Sequence, residues 1–399
     1  MLHKVYCRTF QQGFKVVSKA MTYREPERLE GINCLEDLPT RIKQQAQRVL
    51  VVTDKGLRAS GLAEPFLEQL AQAEIAVTVY DGTVPNPTIE NIEQAYRLYK
   101  ANLCEGIVAF GGGSPMDCAK GVAARVARPN KTIPQMKGLL KIRKEMPPFF
   151  AIPTTAGTGS EATVAAVISD SNTHEKYALM DPVLVPHVAV LDPLLTVKLP
   201  SFITATTGMD ALTHAVEAYI GKSNTSATIQ ASEEAVQLIF SNLYESYLHP
   251  ENLTARANMQ RASYIAGFSF TRAFVGNVHA IAHTLGGFYG IPHGLANAVL
   301  LPHLLTFYGE AVHVPLARLA TLVHIGEEHD SDALRAQKFI VAIQQLNEKM
   351  NIPTNLTGIQ NNDIPKMVKR ALAEANPLYP VPKIMNDNEM HYIYQSIKA

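Results

Sequence analysis

Five side chains able to bind a cation fall in two short stretches of this sequence. In Thr206-Thr207-Gly208-Met209-Asp210-Ala211-Leu212-Thr213-His214 an Asp and a His stand four residues apart. On a helix that spacing puts both on one face, about 6 Å apart along the axis, where they can grip one ion. Their neighbours Met209, Ala211, Leu212, Ala215 and Val216 are apolar, so the face is expected to be buried, and buried ionisable groups need a partner. The second stretch, Val278 to Leu295, holds His279, His283 and His293, three of the chain's 13 histidines, among Gly286, Gly287, Gly290 and Gly294. His279 and His283 share a helical face, and the glycines let the chain fold back so that His293 reaches the same point. Helical spacing alone equally allows His279 and His283 to be the ligand pair, and three separately satisfied core histidines are the plain structural alternative. One carboxylate with imidazoles and no thiolate suits Fe(II) or Zn(II) and leaves room for a substrate oxygen; ligand softness does not separate the two metals.

A second kind of chemistry is written into two glycine-containing loops. The apolar run Gly106 to Phe110 leads straight into Gly111, Gly112, Gly113 and Ser114, and a helix is expected from Pro115. Glycines allow a sharp turn and close approach of a ligand to the backbone, while the free amides and positive dipole end of the helix suit a pyrophosphate. Ser114 is expected as N-cap, Pro115 as first helical residue and Asp117 as the residue reaching back in a capping box. A tight turn that binds nothing is the alternative. The pattern is not G-x-G-x-x-G, so a standard Rossmann assignment does not follow. The loop Thr154-Thr155-Ala156-Gly157-Thr158-Gly159-Ser160 follows another expected strand and offers small donors, Thr154, Thr155 and Thr158 among them, to phosphate or ribose. Asp54 closes the first strand, where its carboxylate can accept from ribose hydroxyls and repel a 2′-phosphate, favouring NAD; capping a turn with Lys55 and Gly56 is its other reading.

The elements that must position these groups change character along the chain. Short β-branched runs are expected as strands at Arg48 to Thr53, Ala76 to Tyr80, Gly106 to Phe110, Phe149 to Pro153 and His187 to Leu191, with helices at Leu62 to Ala73, Thr88 to Leu103 and Pro115 to Ala127. Strand and helix in alternation predict an α/β domain with a parallel sheet. After Pro200 the pattern turns helical, at Ala205 to Ile220, Ala227 to Tyr247, Ala255 to Ala266 and Ala333 to Met350. The reading is an N-terminal dinucleotide-binding α/β domain, residues 1–200, and an all-helical metal and substrate domain, residues 201–399, with a cleft between them as the default site. The 36 basic and 36 acidic residues cancel, which argues against nucleic acid as a partner. No apolar run is long enough to span a bilayer, and the four cysteines are scattered like reduced thiols. A cytoplasmic enzyme is expected. The acid-free start before Glu25, with Lys4, Arg8, Lys15, Lys19 and Arg24, also has the composition of an organelle transit peptide.

Taken together, Gly111 to Pro115 with Asp117, Pro153 to Glu161, Gly208 to His214, and Val278 to His283 continuing to Pro292-His293-Gly294 resemble the iron-containing (group III) alcohol dehydrogenase family, whose fold is dehydroquinate synthase-like. The resemblance covers roughly residues 30 to 399. It implies that Asp210, His214, His279 and His293 are the metal ligands and that His283 lies near the nicotinamide without ligating. It further implies NAD contacts from Asp54, Asn86, Gly112, Gly113, Thr154, Thr155 and Lys176. The chain departs from the family pattern at Ser269 to Phe274, where Arg272 stands either for a polar substrate or for a surface pair, and residues 1 to 29 carry no usable motif. The function implied is hydride transfer between a primary alcohol or aldehyde and NAD(H), with the substrate oxygen at the metal, in a homodimer or higher homo-oligomer. A lyase of the dehydroquinate synthase type needs basic residues around a phosphate-bearing substrate, and no such set lies near the histidines. An NAD-binding sensor or structural oligomer would keep the glycine loops without needing four ligands.

Overall fold

The computed structural model describes residues 2–20, 24–173 and 175–399. It divides into two compact units: Thr22–Leu199, and Pro200–Ala399 together with Met1–Met21. The first unit holds the strands β1 Glu27–Glu30, β2 Arg48–Val52, β3 Ala76–Tyr80, β4 Gly106–Gly111, β5 Gly138–Leu139, β6 Phe149–Pro153, β7 Ala165–Asp170, β8 Glu175–Met180 and β9 Val188–Leu191. Six of them form a parallel sheet in the order β1-β9-β6-β4-β2-β3. Its middle strands are apolar because both faces are covered. Along β2, Val49 and Val51 meet Phe66, Leu70, Leu38 and Ile42 on one side. Leu50 and Val52 point the other way, toward Ile92, Ala95, Met116 and Val122 of the Ile89–Ala101 and Gly113–Ala127 helices.

Five of the six parallel strands match the sequence reading, three of them with one end moved by a residue. The sixth, β1, escapes it because Glu27-Arg28-Leu29-Glu30 buries only Leu29 at the sheet edge, beside Val190 of β9, and leaves no apolar run to detect. A second sheet, β5-β8-β7, was not anticipated. Its β7–β8 pair is antiparallel and only half-buried, so it lacks the continuous apolar signature of the central strands.

The second unit is helical, with long helices at Ser201–Ile220, Ser226–Leu248, Leu253–Ala273, Asn277–Tyr289, His293–Tyr308 and Asp332–Lys349 and shorter ones between and after them. The histidine-rich stretch becomes two helices. Gly290, at φ 67°, takes the left-handed conformation that ends the first, and His293 opens the second after Pro292. This second helix contains Pro302 and is buried nearly all round, so it presents no amphipathic period to read. The helix Leu2–Ala20 groups with this unit rather than with a domain of residues 1–200. The reason is local: Cys7 is buried, Arg8 donates to the carbonyls of Val381 (2.7 Å) and Pro382 (2.9 Å), and Gln11 donates to that of Tyr379 (2.7 Å).

The His293–Tyr308 helix packs closely on Ser201–Ile220 because residue 294 has no side chain. A Cβ there would collide with the carbonyl oxygen of Thr206 and lie 2.8 Å from its carbonyl carbon. Gly294→Ala is therefore expected to cost about 1–3 kcal/mol and to lower the melting temperature by several degrees. A melt unchanged from the parent protein would show that the two helices separate at no cost.

Candidate metal centre and nucleotide loops

Asp210 and His214 lie one turn apart on the Ser201–Ile220 helix, which is buried from Thr204 to Ile220 apart from Thr207. His279 comes from Asn277–Tyr289 and His293 from the first residue of His293–Tyr308. Asp210 Oδ1 stands 3.9 Å from His214 Nε2, 3.8 Å from His279 Nε2 and 3.7 Å from His293 Nε2. One atom from each residue falls within 4.8 Å of the others. Asp210 is 2% exposed, whereas the side chain of His293 is 24% exposed and marks the open side of the cluster. The ring of His214 lies between those of Phe270 (centroids 4.2 Å) and His279 (4.5 Å), which hold its plane.

Glu217, not recognised from the sequence, organises this cluster. It is buried one turn beyond His214, and its Oε2 accepts from the Gly276 amide (2.8 Å) and lies 2.6 Å from His279 Nδ1. Its Oε1 accepts from the Val278 amide (2.8 Å). Gly276 and Val278 open the His279 helix, which has no side-chain cap of its own, so a carboxylate of the Ser201–Ile220 helix caps it. A carboxylate already accepting two amides accepts from the Nδ1–H of His279 as well, leaving the Nε2 lone pair turned toward Asp210. An anionic oxygen and imidazole lone pairs converging in a buried site fit a divalent cation, which would balance both the charge and the lone pairs. The signal was present in the sequence: Glu217 is seven residues after Asp210, on the same helical face as Asp210 and His214.

His283 is brought to the same place but tied differently. Its Nδ1 lies 2.7 Å from Glu374 Oε1, which also accepts from the Tyr379 hydroxyl (2.8 Å), and its ring stacks on His293 with centroids 5.2 Å apart. Glu374 and Tyr379 come from far along the chain, and no spacing rule points to them. Arg272 lies back along its own helix, its guanidinium carbon 3.7 Å from the centre of the Phe268 ring and Nη1 donating to the Phe268 carbonyl (3.1 Å).

In the sheet-containing unit the two loops meet. The Gly113–Ala127 helix is capped by Gly112, reached through Gly111 at φ 152°. A Cβ on Gly112 would sit 3.2 Å from Thr155, and one on Gly113 would sit 2.7 Å from Thr158. Thr154 is buried, and its amide donates to the Gly111 carbonyl (3.1 Å), making it a strut between strand ends. Lys176 Nζ donates to Asn86 Oδ1 (2.9 Å), and the Asn86 amide donates to Ser114 Oγ (3.2 Å), so these three form one chain. Asp54 does cap its turn, Oδ1 accepting from the Leu57 amide (2.9 Å), and Leu57 packs on Gly111.

The expected capping box is corrected. Ser114 is the second helical residue rather than the N-cap, because the chain stays extended through Gly112. Asp117 instead accepts from Ser160 Oγ (3.0 Å) and the Val167 amide (3.1 Å). One turn on, the buried Lys120 ammonium donates to the carbonyls of Ser160 (2.6 Å), Thr163 (2.9 Å) and Ala165 (2.9 Å) and to Thr163 Oγ1 (2.9 Å). Asp117 and Lys120 therefore bind the second loop to the helix that follows the first. Burial pushes the Asp117 carboxyl up to about 6 and Glu161 to about 7 and lowers Lys120 to about 8, each opposed by attraction between the carboxylates and the ammonium.

Glu217→Gln keeps the volume but offers one carbonyl oxygen to three donors. The expected result is metal affinity about 10- to 100-fold weaker, read by chelator competition, with a lower melting temperature. Unchanged affinity beside a lowered melt would reduce Glu217 to a helix cap.

Residues 26–193 match the family model for "Iron-containing alcohol dehydrogenase", and residues 204–398 match that for "Fe-containing alcohol dehydrogenase family, C-terminal". The chain is 39% identical over 353 residues to 1,3-propanediol dehydrogenase of Klebsiella pneumoniae, spanning 88% of this chain and 91% of that one. It is 35% identical over 352 residues to NAD-dependent methanol dehydrogenase of Bacillus methanolicus, spanning 88% and 92%. A solved structure of 1,3-propanediol oxidoreductase superposes with a TM-score of 0.89 at 37% identity, over 94% of this chain and 98% of that one. With both halves of the chain matched, over a parallel sheet that carries the glycine loops and helices that converge on one Asp and three His, this protein belongs to the iron-containing alcohol dehydrogenase family.

Proposed function

We propose that the protein is a metal-dependent alcohol dehydrogenase that moves a hydride between a small primary alcohol, or its aldehyde, and NAD(H). The observation that carries the reading is the convergence of Asp210, His214, His279 and His293 within 4.8 Å in a chain that also carries the two facing loops. Relatives named for 1,3-propanediol and methanol, the latter as NAD-dependent, support the substrate class and the cofactor. An ion held by these four residues, Fe(II) by the family's name with Zn(II) as the alternative, supplies Lewis acidity toward the alcohol oxygen. The partly exposed His293 side gives the substrate its approach. Glu217 holds the His279 ring in orientation, and Phe270 walls His214.

His283 is assigned to proton handling or to positioning the nicotinamide. Its Nδ1 is engaged by Glu374, which orients the ring and leaves Nε2 for the reacting groups. For NAD we assign Gly112, Gly113, Ser114, Thr155 and Thr158 to the phosphates, with Thr154 bracing that loop, Asn86 and Lys176 beside them, and Asp54 to the ribose. The cytoplasm is the proposed compartment, supported by four free cysteines. No helix among the described residues is long and apolar enough to cross a membrane. A homodimer or higher homo-oligomer is supported by exposed Leu2, Val5, Tyr6 and Phe10 along one side of the first helix.

The test of the whole reading is metal content beside NADH formation from a panel of primary alcohols, in protein purified without oxygen. His279→Ala and Asp210→Ala are each expected to lose both metal and turnover. His283→Ala is expected to keep its metal and fold while losing much of kcat or changing its pH profile. A metal-free His283→Ala beside a metal-loaded His293→Ala would exchange their roles. For the cofactor, Asp54→Gly is expected to relax the preference for NAD over NADP, and an unchanged ratio of kcat/KM for the two would leave Asp54 as a turn cap only.

A further inference from the structure

The helix Leu2–Ala20 lies ahead of residue 26, where the family match begins, and belongs to the same compact unit as the candidate ligands. Its Arg8 and Gln11, joined by a bond from Arg8 Nη1 to Gln11 Oε1 (2.9 Å), both reach one distant segment. Gln11 Nε2 donates to the carbonyls of Tyr379 (2.7 Å) and Pro377 (3.2 Å), while Arg8 Nη1 and Nη2 donate to those of Val381 (2.7 Å) and Pro382 (2.9 Å). Pro380, between them, accepts from the Lys222 amide (2.7 Å), and the Lys222 carbonyl in turn accepts from Lys15 of the same helix (3.2 Å). Residues 376–386 form neither helix nor strand, and 379–382 are buried. With prolines at 377, 380 and 382, this stretch has few amides to pair with its own carbonyls, and buried carbonyls must find donors. The N-terminal helix supplies them.

The segment so held carries a residue of the candidate site. Tyr379 is buried, and its hydroxyl donates to Glu374 Oε1 (2.8 Å), the same oxygen that lies 2.7 Å from His283 Nδ1. Burial, with the nearby Glu374 carboxylate, raises the Tyr379 phenol well above its ordinary value, which keeps it a donor. Tyr379 is thus held at its carbonyl by Gln11 and directs Glu374 with its hydroxyl. A continuous line of hydrogen bonds runs from the N-terminal helix through Tyr379 and Glu374 to the ring of His283.

We infer that the N-terminal helix is a brace for the reaction site, in which Arg8 and Gln11 are positioning residues that set the ring of His283 through Tyr379 and Glu374. The inference rests on the role assigned to His283 above. It gives the first 20 residues, which carry no motif of their own, a share in the rate of hydride transfer.

The test uses the full chain and measures single-turnover NADH formation from a primary alcohol beside KM for NAD and metal content. The double variant Arg8→Met/Gln11→Met is expected to form NADH about 10- to 100-fold more slowly, with KM for NAD and metal content at the parent values. A parent rate in this variant overturns the inference, as does a slower rate matched by loss of metal. Placed in His283→Ala, the same two substitutions are expected to slow that variant no further, because residues that act through one group are not additive. An added loss as large as in the parent overturns the inference, since a general weakening of the fold would produce it. If Arg8→Met/Gln11→Met fails to fold, Tyr379→Phe, which keeps the backbone contacts and loses only the hydroxyl, is expected to show slowed NADH formation with its metal retained; a parent rate there overturns the inference. His283→Ala separates the two levels: a parent rate in it removes the role of His283 itself, whereas a slow His283→Ala beside a parent rate in Arg8→Met/Gln11→Met sinks only the brace.

Discussion

One buried carboxylate, Glu217, fixes the geometry on which the candidate metal centre depends. The lone pairs of Asp210 and the three imidazoles converge from three helices, an arrangement that is repulsive without a cation and is stable only if the helices are pinned by something else. Glu217 does this from the last turn of the Ser201–Ile220 helix by satisfying the first amides of the Asn277–Tyr289 helix and the far nitrogen of His279. The same contact settles two questions, where the His279 helix begins and which nitrogen of its ring faces Asp210. Gly276 is needed for the approach, since a Cβ there would stand 2.5 Å from Glu217 Oε1.

The sheet-containing unit solves a similar problem with the opposite charge. Its second loop follows β6 and has little regular structure of its own, so its carbonyls need donors. The Lys120 ammonium, with no exposed surface, supplies them for Ser160, Thr163 and Ala165. Asp117 and Glu161 lie near enough to offset part of the cost of burying that charge. The loop is thereby fastened to the helix whose N-terminus faces it, so that two short segments distant in sequence are held side by side.

His283 shows how closely related side chains diverge through their partners. It differs from His279 by a single helical turn, and both imidazoles have their Nδ1 on a glutamate. Glu217 is buried and shared with backbone amides, whereas Glu374 is a quarter exposed and shared with the Tyr379 hydroxyl. The first environment suits a ring that must not move, and the second suits one in touch with water.

Much was legible in the sequence where the information is local. Asp210 with His214, the glycine turn after β4 and the alternation of strands with helices each follow from spacing and residue type, because helical and strand periods are properties of a single segment. The edge strand β1, with one buried residue, and the buried Pro302-containing helix were not legible, since neither shows a period. Tertiary structure alone decided the rest. Whether His279 pairs with His283 or His293 depends on the turn at Gly290 and on how closely residue 294 approaches Thr206. Asp117 looked like a helix cap and became a tether, because Ser160 and Val167 arrive beside it from elsewhere in the chain. Glu374 and Tyr379 gain their significance only from what is folded against them. A sequence specifies which donors a segment carries, but a hydrogen bond or a coordination sphere needs partners at a few ångströms, and those partners are chosen by the packing of the whole chain.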